Sequence, residues 1–349
     1  MNKESKFEII RTLISVGIAL IIAFIVILLV SKEPAEALKA FLLGPLTSKS
    51  HMGNVIELSI PLMFAGLSMA LLFKTRLFNM GAEGIFYFSG IIAAIIAIYW
   101  KTNSIIHPLF AIAAGTLAGG LISAIPGILK AKWNASELVT SLMFNNILLG
   151  VGLYILTYQL RDPNALSNCS VEFKDTARLV RIIPGTRVHV GFIIVLIMVL
   201  LTHYFLYKTK WGYELRMTGI NRKFAEYSGI KTAKVIVYVH VLAGLIAGMG
   251  GSVEVLGMHH RFEWITLPGY GFDGALIAML AKNNPVSVIG SAIFIAYIRT
   301  GADLMSRTSD VPAEMISIIQ AIIILLISAE KFLKYWKEKS LLKEAKKNA

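Results

Sequence analysis

The sequence predicts an all-α polytopic membrane protein, about ten transmembrane helices in a single transmembrane domain over residues 1–349. Three observations predict it. Hydrophobic residues make up 56% of the 349 and charged residues only 16%, with a mean hydropathy of +0.68; a soluble domain carries roughly 25% charged residues. Apolar residues arrive in runs close to the roughly 20 residues that cross a hydrocarbon core about 30 Å thick. Lys and Arg, which set a net charge of +13, gather in short segments between those runs. That placement leaves no basic face over a soluble core, so nucleic acid is not the expected partner; it is the pattern that encodes membrane orientation. Cys169 is the only cysteine, which excludes a disulfide scaffold.

The first run, Leu13–Val30, follows Lys3, Lys6 and Arg11. It exceeds a signal-peptide core of about 7–15 residues, and Ser31-Lys32-Glu33-Pro34 is no small-residue cleavage site, so it reads as a retained span. Further spans are expected at Leu58–Phe73, Ile85–Trp100, Pro108–Leu129, Leu138–Leu156, Val190–Leu206 and Val235–Leu256. Three more follow at Gly271–Ala281, Val286–Ala302 and Ala313–Ala329. The eighth is too short to cross alone, so it starts further back or is broken near Gly269 and Gly271.

With both termini inside, the cytoplasmic segments are the N-terminus, Lys74–Arg76, Lys130–Lys132, Lys208–Lys234, Lys282 and the basic tail 331–349. They hold 22 of the 34 Lys and Arg, as the positive-inside rule requires. The longest outer segment, Gln159–Val188, is polar and contains Pro163 and Pro184, so a structured external loop is expected.

Several features have ordinary readings. His259 and His260 are adjacent, point to different sides of a helix and lack further ligands at metal spacing. No Gly-x-Ser-x-Gly, Walker lysine motif or Cys-x-x-Cys is present, so neither an enzymatic site nor ATP hydrolysis in this chain is expected. Gly115 with Gly119, and Gly244 with Gly248, have the small-xxx-small spacing that lets helix backbones approach closely in lipid.

Three signals stand out. Leu77-Phe78-Asn79-Met80-Gly81-Ala82-Glu83-Gly84 places an amide, a carboxylate and two glycines between spans. Ionisable groups at membrane depth face the protein interior or an aqueous path, and glycines allow a broken backbone there; the plain alternative is a solvated Glu83 at a helix end. Gly269-Tyr270-Gly271-Phe272-Asp273-Gly274-Ala275 echoes it five spans later. In this topology the two motifs lie on opposite sides, as an inverted internal repeat predicts, and transporters so built bind substrate beside interrupted helices. The third signal is the long inner segment 208–234. There, helical spacing over Asn221–Tyr227 follows an N-cap Asn221 and stops at Gly229. Phe224, Ala225, Tyr227 and Ser228 are expected to form an apolar knob framed by charge, a surface suited to a protein partner. A loop that only holds orientation is the alternative.

Together Leu77–Gly84, Gly219–Ile230 and Val253–Gly274 resemble the permease subunits of ABC importers of the ribose/branched-chain amino acid superfamily. The nucleoside-type (guanosine/simple nucleoside) branch is the most similar, and Glu137–Asn146 resembles its segment ending in Leu-Asn-Tyr. The resemblance covers residues 55 to 330 in one collinear order. It departs at Arg222, where a proline is common, and at Asn146, where the branch tends to have tyrosine.

The resemblance implies a type II ABC importer permease in the bacterial cell membrane. Its partners would be a cytoplasmic ATPase, a second permease copy or paralogue, and an extracytoplasmic substrate-binding lipoprotein. ATP would be used by the ATPase, with no cofactor in this chain. Gly219, Asn221, Phe224, Ala225, Tyr227 and Gly229 would belong to the coupling segment seated on the ATPase. Phe78, Asn79, Glu83, Asn145, Phe272 and Asp273 supply the aromatic faces and polar partners that a nucleoside needs along a pathway. A permease for ribose or another sugar is the alternative; a stand-alone secondary transporter using Glu57, Glu83, Glu254 and Asp273 is a third reading.

Overall fold

The computed structural model describes residues 31–311 together with Ile21, Phe24, Ile25, Leu28 and Ala321. The expected spans Leu13–Val30 and Ala313–Ala329, apart from those five residues, and the tail 331–349 lie outside the described residues. Among the described residues regular structure is helical, apart from two isolated antiparallel bridges, Arg161 with Ser170 and Arg181 with His189. In order the helices are α1 (Pro34–Leu43), α2 (Lys49–Lys74), α3 (Ala82–Tyr99), α4 (Ile106–Trp133), α5 (Glu137–Ile155), α6 (Gly191–Lys208), α7 (Lys210–Ile220), α8 (Arg222–Tyr227), α9 (Thr232–Met258), α10 (Tyr270–Leu280) and α11 (Pro285–Thr308). A π turn, Leu156–Leu160, ends α5.

Seven of these (α2–α6, α9 and α11) are long and apolar enough to cross a membrane. They match the second to seventh and the ninth expected spans. α10 matches the eighth and has only 11 residues, about 16 Å at 1.5 Å per residue, roughly half a hydrocarbon core. It does not start further back: Gly269, at φ +88°, breaks the chain just before it, a conformation that glycine adopts without penalty.

The chain divides into two units, residues 53–296 and residues 1–52 with 297–349. In the larger unit α2 is buried along nearly its whole apolar length, whereas α5 and α6 leave most of theirs exposed, as lipid-facing helices do. α9 packs on α3 and α4, and glycines set the distance. A Cβ on Gly119 would lie 2.5 Å from the Gly244 oxygen and 2.8 Å from the Gly248 Cα, so the two small-xxx-small pairs form one seam. Small hydroxyls fix it without charge: Ser123 Oγ donates to the His240 carbonyl at 2.7 Å and Ser68 Oγ to that of Ala243 at 2.8 Å.

The segment 161–190 is ordered by the end of α9 and the loop after it. Ser170 N donates to the Phe262 oxygen at 2.9 Å, Phe173 N to that of His260 at 2.9 Å, and Leu179 N to that of Leu256 at 3.0 Å. In the smaller unit, Tyr297 of α11 donates to the Leu42 carbonyl and Ser31 Oγ to Asp310 Oδ1 at 2.5 Å.

Candidate functional site

The loop between α2 and α3 rises into the protein and is stapled to α5. Asn79 Oδ1 accepts the N–H of Gly81 at 2.6 Å, closing a tight turn. Met80 N donates to Ser141 Oγ at 3.0 Å. Asn145 does two jobs: Oδ1 accepts the Gly84 N–H at 2.9 Å and Nδ2 donates to the Met80 carbonyl at 3.0 Å. Asn145 lies eight residues into α5, about 12 Å along its axis. The start of α3 is therefore held about 12 Å along an apolar helix, where a backbone group shielded from water needs an internal partner.

A second segment approaches the same place from the middle of α3. A Cβ on Gly90 would meet Trp264 and Phe262 at 3.3 and 3.4 Å, and one on Gly271 would meet Glu83 at 2.7 Å. Residues 262–271 therefore run along α3 from Gly90 to Glu83. There the Glu83 carboxylate accepts the N–H of Gly269 and, at 2.5 Å, that of Gly271. These are N–H groups at the start of α10 that have no intrahelical partner. Glu83 also stands in the first turn of α3, so one carboxylate sits at the positive ends of two helix dipoles. The two motifs expected on opposite sides of the membrane are in contact; each is a broken helix start, and Glu83 joins them. Nor is Glu83 a solvated helix end: it is 2% exposed.

The six expected pathway residues divide by exposure. Asn79, Glu83, Asn145 and Asp273 are buried, whereas Phe78 and Phe272 are exposed. Phe78 stacks on Phe73 with ring centroids 5.5 Å apart and planes 8° from parallel. Asn79, Glu83 and Asn145 spend their hydrogen bonds on the backbone, which makes them builders of the broken-helix site. Ser141 was legible as the residue one turn before Asn145 on the same helix face, although only the staple gives it a role.

Sequence reasoning also passed over an aromatic ladder leading to this point. His259 and Trp264 lie 5.7 Å apart, Phe262 and Trp264 5.5 Å, Trp264 and Tyr270 6.4 Å, and Tyr270 and Phe86 5.4 Å. Trp264 and Tyr270 are half-buried, and the Tyr270 hydroxyl donates to Glu254 Oε1 at 3.2 Å. The signal was the frequency of aromatics between His259 and Phe272. The histidines have ordinary partners: His259 Nδ1 lies 2.8 Å from Glu263 Oε1 and His260 Nε2 3.0 Å from Arg178. Among the described residues no three potential metal ligands cluster.

The inner segment forms α7 and α8. Asn221 Oδ1 caps α8 by accepting the Phe224 N–H at 3.1 Å. Gly229, at φ +85°, ends it, with Gly229 N bonded to the Glu226 oxygen and Ile230 N to that of Ala225, both at 3.0 Å. Phe224 and Tyr227 are 54% and 91% exposed, but Ala225 is fully buried. Ser228 is exposed too, so of the expected knob only Ala225 departs, lying on the opposite side of the helix against the chain's own interior. Gly219 is buried where a Cβ would overlap the Lys74 carbonyl, tying α7 to the end of α2. The Thr232 hydroxyl and the Arg222 guanidinium hydrogen-bond the Glu226 carboxylate at 2.5 and 3.2 Å and hold its pKa below the usual range. Asn146 is exposed, and its Nδ2 donates to the Leu142 oxygen at 3.2 Å.

Known proteins are similar to this chain in sequence. A guanosine ABC transporter permease protein of Bacillus subtilis is 31% identical over 291 residues, 82% of this chain and 83% of that protein. A glucose ABC transporter permease protein of Haloferax volcanii is 30% identical over 329 residues, 91% of this chain and 86% of that protein. A nucleoside ABC transporter permease protein of Lactococcus lactis is 27% identical over 347 residues, 95% and 93%. No solved structure matches. Residues 51–328 match the family described as the permease component of the branched-chain amino acid transport system. The chain thus belongs to that permease family, as a multi-pass membrane subunit of an ABC importer whose ATPase is a separate subunit.

Proposed function

We propose that this permease carries nucleosides into the cell. The observation that carries the reading is the joined pair of broken helices at Glu83, approached by half-buried Trp264 and Tyr270 and flanked by exposed Phe78 and Phe272. A nucleobase has flat faces that stack on aromatic rings, and its sugar and base edges need donors and acceptors nearby. The 31% and 27% identity to guanosine and nucleoside permeases supports the same substrate class.

The 30% identity to a glucose permease favours a second reading, a sugar importer of the same architecture. Sugars also stack on aromatic faces, so competition decides. Uptake of labelled guanosine is measured in cells with and without this chain, with excess unlabelled uridine, ribose or glucose. Nucleoside import requires uptake that is lost on deletion and competed by uridine alone. Unchanged guanosine uptake with lost ribose or glucose uptake moves the substrate to a sugar.

Energy enters through α8. Exposed Phe224 and Tyr227 dock on a cytoplasmic ATPase that supplies all the ATP chemistry, this chain binding no cofactor. Two permeases, identical or paralogous, pair around the pathway, and an outer substrate-binding lipoprotein delivers the substrate. Both termini lie in the cytoplasm, which the distribution of Lys and Arg supports. A reporter fused to either terminus should be active only in its cytoplasmic form.

A further inference from the structure

On the side of the protein where α8 lies, a cavity of about 590 Å³ opens between the end of α2, the α4–α5 connection and the start of α8. Its walls hold four cationic side chains, Arg76, Lys130, Arg222 and Lys223, against one carboxylate, Glu137. Two of the cations are matched. Lys130 Nζ is 3.0 Å from Glu137, and Arg222 Nε is 3.2 Å from Glu226. Arg76 and Lys223 make no ion pair among the described residues, although the Lys223 charge acts on nearby Glu226, and they line the same cavity from the turn after α2 and the first turn of α8.

Arg76 occupies a position that its own backbone does not favour. Leu77 N bonds to the Leu72 oxygen at 3.0 Å and Arg76 N to that of Phe73 at 3.1 Å, the paired bonds of a Schellman turn. Arg76 is its left-handed residue, at φ +56°, where glycine is usual and a Cβ is disfavoured. The backbone cost is shared with Lys282 and Asn283 after α10, but Arg76 also adds a cation without an ion-pair partner to a wall that already carries Lys130, Arg222 and Lys223. The volume lies in the range of small-molecule sites, and unpaired Arg and Lys donors together suit the planar fork and point charge used to bind phosphate.

We propose that this cavity binds a phosphate-bearing ligand, gripped by Arg76 and Lys223, on the coupling side of the permease. The phosphate belongs either to a free anion or to an anionic lipid headgroup. The proposal does not depend on what the permease carries.

The test titrates inorganic phosphate by calorimetry into the full chain in nanodiscs of pure phosphatidylcholine, with sodium chloride at matched ionic strength as the reference. Saturable phosphate binding is expected. Arg76→Gly and Lys223→Gln should each weaken it about tenfold, the loss of one charge-assisted hydrogen bond. Arg76→Gly keeps the test free of folding defects, because glycine relieves the turn and should raise the unfolding temperature while binding falls. A second set of nanodiscs contains phosphatidylglycerol. Binding abolished there assigns the site to a lipid headgroup, and binding retained there assigns it to a free anion; both uphold the phosphate site. Heats no different from chloride, or affinity unchanged in both variants, overturn it.

Discussion

Glu83 accepts the N–H of Gly271 at 2.5 Å across 188 residues of sequence, so a single buried carboxylate closes the starts of α3 and α10. Replacing it with alanine strands the buried Gly271 N–H, at about 1–3 kcal/mol, and the part-buried Gly269 N–H as well. Glu83→Ala is therefore expected to lose substrate uptake and to lower the unfolding temperature of the detergent-solubilised chain. Glu83→Gln keeps one carbonyl acceptor and should fall between the two. Full uptake in Glu83→Ala would mean that the junction plays no part in transport.

The glycine seam makes a sharper prediction about packing. At Gly119 an added methyl meets the backbone of α9 at 2.5–2.8 Å, and backbone cannot swing aside as a side-chain tip can. Gly119→Ala should cost about 1–3 kcal/mol, the usual penalty of overpacking. At Gly150, inside exposed α5, nothing lies within 4 Å, so Gly150→Ala should not lower the unfolding temperature and should raise it slightly through the better helix propensity of alanine. Equal behaviour of the two variants would contradict close contact between α4 and α9.

Much of this architecture was legible before any coordinates. Hydropathy located the spans, because a hydrocarbon core imposes a minimum length on a helix that crosses it, and the glycine pairs were readable as packing sites because small residues four apart have one main use there, although their pairing with each other was not. Asn221 and Gly229 marked α8 correctly because caps act on their own neighbours. The Glu83 junction was not legible: a hydrogen bond between distant loops leaves no local period, and topology alone set the two motifs on opposite sides. The buried side of α8 also escaped, because a six-residue helix is too short for its apolar spacing to identify a face. Burial of Asn79 and Asn145 shows the general limit, since an amide that lines a pathway and one that staples a backbone are the same residue type.

His189 links the 161–190 segment to pH. Burial, followed by the nearby Arg181 charge, pushes its pKa from 6.5 to about 4, and its Nδ1 accepts the Gly191 N–H at 3.1 Å, which requires an unprotonated nitrogen. Between pH 6.5 and 4 the unfolded chain binds a proton that the folded chain does not. Stability from this group is present above pH 6.5 and is lost as pH falls towards 4, by up to about 3 kcal/mol. Unfolding temperature measured from pH 7 to pH 4 should fall less steeply in His189→Gln. An identical slope in both proteins would remove His189 as a contributor.

The last prediction separates the two sides of α8. Phe224 and Tyr227 are exposed while Ala225 is buried between them, so substitutions one residue apart should fail in different ways. Phe224→Ala with Tyr227→Ala removes only exposed surface, so the chain should keep its unfolding temperature and membrane level. If α8 docks on the ATPase, the double variant should nevertheless lose copurification of that subunit, since exposed aromatics are the anchors that such contacts depend on. Ala225→Asp instead forces a charge into the chain's own interior without a partner, which costs stability directly. Its transport should fall together with its unfolding temperature, so it cannot report on docking. Normal ATPase copurification by the double aromatic variant would place the docking surface elsewhere on the inner segment.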